Sequence, residues 1–150
     1  MDLLNNIKWT FTDTEYDSKD DFNVAISEFQ VASAPEETVW NPEEILLESP
    51  AVDIVFRAWI GENDLLENEI LLEDPDFFDD ETKSEFGLFE ADIQARIKAD
   101  NGKNFSVVEL MFKINEQIQP KELGDDLHFE GLGGLESDSE IPKFYLFCGS

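Results

Sequence analysis

Positive charge is scarce in this chain: Lys and Arg number 10 against 36 Asp and Glu, leaving a net charge of −26. Nucleic acid and anionic membrane surfaces are both recognised through basic patches, so direct binding to either is not expected. Cysteine occurs once, as Cys148, which rules out an internal disulfide and fits a reducing compartment. Histidine also occurs once, as His128. No apolar run approaches the ~20 residues that carry a helix across a bilayer. The opening Met1-Asp2-Leu3-Leu4-Asn5-Asn6 has no basic segment followed by an apolar stretch, so no secretory signal is visible. The expected location is the cytoplasm.

What remains is ample for a core. The 150 residues match one ordinary domain, and 13 phenylalanines with three tryptophans supply apolar bulk. The excess of carboxylates works against compaction through self-repulsion, while it favours solubility and fast capture of cationic partners.

The stretch from Phe86 to Gln119 reads as strand, turn and helix. Phe89, Ala91, Ile93, Ala95 and Ile97 alternate with polar residues, the period of a strand with one buried face. Asp100-Asn101-Gly102 is a turn. Ser106 precedes Glu109 by three residues, the spacing of a capping box, and the apolar positions Val108, Met111, Ile114 and Ile118 follow at helical spacing up to Pro120. Earlier, Ile7, Trp9 and Phe11 alternate as a first strand. Asp17 or Ser18 then caps a helix carrying Phe22, Ile26 and Phe29 and ending near Ala32. The connection from Glu36 to Pro50 carries mixed signals, with one edge strand at most. Val52 to Ile60 is apolar on both faces and is expected at the sheet centre. Glu69 to Leu72 reads as its returning strand, giving an antiparallel meander with the strand at Leu88 to Lys98. Gly131 and Gly133-Gly134 predict a mobile connection before a final strand at Ile141 to Phe147. The expectation is a single α+β domain over residues 1–150: a mainly antiparallel twisted sheet with two helices packed on one face.

The chemistry-bearing candidates each miss a required group. The tract from Glu62 to Asp92 holds 13 carboxylates and one cation, Lys83, but the glycine and terminal glutamate of a calcium loop fall out of register. His128-Phe129-Glu130 has the His-x-Glu spacing of the zinc deaminases without the Pro-Cys-x-x-Cys they need. Cys148 with His128 lacks any spacing that marks an activated nucleophile. Gly131-Leu132-Gly133-Gly134 lacks the lysine of a phosphate loop and opens no evident helix. No metal or other cofactor is expected, and no enzymatic activity.

The sequence therefore points to binding. The expected role is a non-catalytic acidic domain that blocks a basic protein, in the manner of an immunity protein against a nuclease toxin or of a nucleic-acid mimic. The expected contact residues are Glu67, Glu69, Asp74, Asp76, Asp79, Asp80 and Glu81, with Phe77, Phe78 and Trp59 as apolar anchors. Trp59 shares a strand face with Arg57 and Val55, which leaves it available to a partner or to a second copy in a homodimer. The competing readings are a structural or regulatory domain whose acidity serves solubility or a salty habitat, and a carboxylate- or metal-dependent enzyme.

Overall fold

The two longest alternating stretches lie side by side at the middle of one sheet. The computed structural model describes residues 2–33 and 40–150, so Met1, Ala34, Pro35 and residues 36–39 of the expected connection lie outside the described residues. The elements are β1 (Asp2–Leu3), α1 (Lys19–Ser33), β2 (Ile45–Leu47), β3 (Ala51–Ile60), β4 (Glu69–Leu71), β5 (Ser84–Glu85), β6 (Leu88–Lys98), β7 (Phe105–Ser106), α2 (Val107–Ile118), β8 (His128–Leu135) and β9 (Lys143–Gly149). The main sheet has the order β1-β8-β9-β3-β6-β4, with β5 pairing the start of β6, while β2 and β7 form a separate small ladder. All pairings are antiparallel except β3 with β9. The fold is α+β, as the residue patterns predict.

Register explains which face is buried. Val52, Ile54, Phe56, Ala58 and Ile60 of β3 lie opposite Ile97, Ala95, Ile93, Ala91 and Phe89 of β6. Most of this double row joins Phe22 and Ile26 of α1 and Met111, Ile114 and Ile118 of α2 in one hydrophobic cluster. At ~25 cal/mol per Å², such burial is the main force holding helices to sheet. Both helices start where the sequence allows. Ser18 Oγ accepts the Asp21 amide at 3.1 Å, and Ser106 Oγ accepts the Glu109 amide at 3.2 Å. The second capping box is incomplete, because Glu109 instead accepts the Asp100 amide at 2.8 Å and pairs with Lys113 at 3.2 Å.

Several local expectations are corrected. Ile7, Trp9 and Phe11 are buried as the alternation implies, but the segment is not a strand of the sheet; only Thr10 bridges to His128. Gln30 of α1 intercepts the backbone instead, accepting the Lys8 amide at 2.8 Å and donating to the Lys8 carbonyl. β4 does not return along β3. It pairs with the far side of β6, so β6 is inserted between them and no simple meander forms. The glycines at 131, 133 and 134 lie inside β8, not in a loop. A Cβ on Gly131 would overlap the Asn5 side chain, and one on Gly133 would overlap the Phe147 ring, so both are demanded by close approach. The last strand begins at Lys143, because Ile141 and Pro142 belong to the preceding turn.

Candidate functional site

Neither helix covers the other face of the main sheet. There β3 presents Asp53, Val55, Arg57 and Trp59, and β6 presents Arg96, Gln94, Asp92 and Glu90 directly opposite them. β9 adds Tyr145 beside Val55, with the Phe147 ring tilted against the tyrosine at 5.2 Å between centroids. Two arginines are already spoken for. Arg96 grips the buried Asp53 with two bonds of 2.9 Å, and Arg57 Nε lies 3.1 Å from Asp92, with Glu90 at 3.8 Å. The hydrogen bond to Asp92 is the main cause that raises the Arg57 pKa above its ordinary value.

Arg57, Trp59, Glu90, Tyr145 and Phe147 border one concavity of about 300 Å³. Trp59 is also a wall of a second, of about 320 Å³, completed by Glu85, Phe86, Leu88, Glu122 and Gly124. Phe86 is the residue that sequence reading missed. It opens the stretch that reads as strand, turn and helix, and it sits at the tip of the β5–β6 hairpin, where Glu85 faces Leu88. Phe86 and Gly87 have φ of 53° and 80°, consecutive positive values of the kind found in type I′ turns, whose first central position favours Asn, Asp or Gly. A bulky side chain there is strained by roughly 1–2 kcal/mol. No burial offsets that strain, since Phe86 is fully exposed, at 103%.

The acidic tract is arranged differently from the expectation. Glu67, Asp74, Asp76, Asp79, Asp80 and Glu81 are exposed. Asp80 is held below its ordinary pKa mainly by hydrogen bonds from Thr82. Phe77 and Phe78, expected as outward anchors, fold back on Phe89 at 5.7 and 5.3 Å. Their apolar neighbour inside the sheet edge out-competes water for them. Glu69 leaves the contact surface altogether: its side chain is 0% exposed and pairs with Lys121 at 2.7 Å. Trp59 is half-buried on the helix-free face, its amide bonded to the Glu122 carbonyl at 2.8 Å. Trp9 is buried and Trp40 half-buried, with indole N–H groups donating to Asn115 and Asn23.

The other candidates gain no chemistry from the fold. His128 Nδ1 lies 2.9 Å from Thr10 Oγ1. Burial pushes the Cys148 thiol up to about 12, with Asp126 and Glu130 adding to the effect, the opposite of what a nucleophile needs. Thiol reagents at pH 8 should therefore modify native Cys148 about a hundredfold more slowly than the urea-unfolded chain; equal rates would refute the burial. The same shift sets a pH trend. The folded state holds this proton where the unfolded state has lost it, so its stabilising contribution is complete below about pH 9 and disappears as pH rises toward about 12. Among the described residues, no three His, Cys, Asp or Glu side chains converge to hold a metal ion, and no helix is long and apolar enough to cross a membrane.

No protein-family model, curated protein or solved structure matches this chain.

Proposed function

We propose that this chain is a non-catalytic binding domain of the cytoplasm that occludes a basic protein, as an immunity protein or nucleic-acid mimic would. Surplus carboxylates steer the encounter and stand in for phosphates, while apolar side chains on the helix-free face slow dissociation. The observation that carries this is Phe86, a strained and fully exposed aromatic that lines a concavity together with Glu85 and Glu122. Solvent alone gives no reason to keep such a residue at that turn, and strained positions concentrate where function requires them. Arg57, Lys83, Arg96, Lys113 and Lys121 all have carboxylate neighbours within the fold, so much of the small cationic complement is internally engaged. The exposed acids from Glu67 to Glu81 then present a field of one sign.

Phe86→Asn separates stability from binding. The substitution relieves the backbone, lowering the unfolding equilibrium constant about fivefold in urea titrations. It also removes the anchor, weakening partner binding more than tenfold. The partner is obtained by capture from source lysate on the immobilised chain at low and high salt, and its association rate should fall as ionic strength rises. If charge reversal of Asp74, Asp76 and Asp79, together with Phe86→Asn, retains the same partners at unchanged affinity, the blocking role is wrong.

A further inference from the structure

Resting on the reading of the chain as a binding domain, we infer that the pocket between Trp59 and Phe86 receives an arginine side chain of the partner. It is lined by Trp59, Phe86 and Leu88 together with the carboxylates Glu85 and Glu122. A guanidinium suits such a place. It is planar and weakly hydrated, stacks on aromatic faces, and pairs with carboxylates through a fixed fork of N–H donors.

The adjoining pocket supplies an internal precedent. Trp59 is the wall common to both, and on one side the chain's own Arg57 lies among Trp59, Tyr145, Asp92 and Glu90. On the other side the same kinds of groups recur, an aromatic wall with two carboxylates, but none of the lining residues is a cation. Glu122 is held at the indole by two backbone contacts: its carbonyl accepts the Trp59 amide at 2.8 Å, and its Oε1 accepts the Gly124 amide at 2.9 Å. Gly124 lies at the edge of the indole, where a Cβ would make an ordinary contact of 3.4 Å with Trp59 Nε1, and its φ of +65° is what favours glycine there. Glu85 is fixed opposite Leu88 by the hairpin register. A second copy of the chain is a poor donor of the arginine, because it brings the same net charge of −26. The complementary occupant is a basic partner.

The test uses the full chain and two small probes, N-acetylarginine amide and its neutral isostere N-acetylcitrulline amide. ¹⁵N NMR follows the Trp59 indole resonance, assigned through Trp59→Phe. Arginine amide should shift it saturably, and citrulline amide should leave it nearly unmoved. Glu85→Gln and Glu122→Gln should each weaken arginine-amide binding about fivefold, the worth of one partly exposed charge pair. Equal shifts from the two probes, or an unchanged response in the double Gln variant, would overturn the pocket. The binding function fails separately. If the double Gln variant holds a captured basic partner at full affinity while acidic-tract reversal releases it, the pocket is rejected and the blocking role stands.

Discussion

Replacing Glu69 with alanine lowers the unfolding free energy by about 3–5 kcal/mol, because it strands a buried lysine without its counter-ion. The carboxylate accepts from Lys121 Nζ at 2.7 Å, from Gln117 Nε2 at 2.5 Å and from the Leu66 amide at 2.8 Å. The Lys121 side chain is 3% exposed, so water cannot take over the lost contact without opening the structure. For a domain whose total stability is typically about 5–15 kcal/mol, that loss is a large fraction. The double variant Glu69→Gln, Lys121→Met should recover much of it, since neither charge is then left buried alone. Urea titration reads both. A single-variant loss below about 1 kcal/mol, the range of surface pairs, would mean that the pair is solvated in the folded chain. The experiment also separates the two roles considered for Glu69: a contact residue would lose partner affinity at unchanged stability, and a buried ion pair does the reverse.

Gly131→Ala carries the second large penalty, about 2–4 kcal/mol from backbone strain plus overpacking. Gly131 has φ of +118°, outside the range that L side chains adopt readily. Its added Cβ would also lie 3.1 Å from Asn5 Cα, which is backbone and cannot swing aside as a side chain can. The damage should spread to β1, which is held to β8 through Asp2 opposite Gly133 and Leu3 opposite Leu132. Amide exchange at Leu3 and Leu132 would then accelerate ahead of exchange in β3 and β6. Gly133→Ala should cost less, because the obstructing Phe147 ring is half-exposed and able to rotate away. Should Gly131→Ala leave the urea midpoint unchanged, the close crossing of residue 5 over β8 does not exist in solution.

These two sites also mark where sequence patterns stop. Alternation along Val52–Ile60 and Phe89–Ile97 was enough to identify two core strands, because period two is a local consequence of strand geometry. The Ser106 cap and the apolar spacing of α2 were legible for the same reason. Strand order was not. That Lys143 comes to lie beside Asp53 in a parallel pair depends on a contact across most of the chain, to which neither segment's pattern refers. The glycines of β8 signalled a loop because local propensity registers only their freedom, whereas their use is to admit Asn5 and Phe147. Glu69 sat in an acidic run, and nothing nearby in sequence announced that Lys121 would close over it.

For the candidate site the division is similar. Trp59 was legible on the face opposite the apolar row, since neighbouring residues on a strand point to opposite sides. Phe77, Phe78 and Phe86 are three aromatics within one acidic stretch, and composition treats them alike. Only the turn at Phe86-Gly87 and the packing on Phe89 decide that the first two turn inward and the third is displayed.

By itself, the amino-acid sequence determined the surplus of negative charge, the α+β class and the apolar faces of the principal strands and helices. Each of these is a sum over residues or a short-range periodicity. The tertiary structure decided which carboxylates are buried in ion pairs, which glycines are indispensable and which aromatic meets solvent, because each depends on what a distant segment brings alongside.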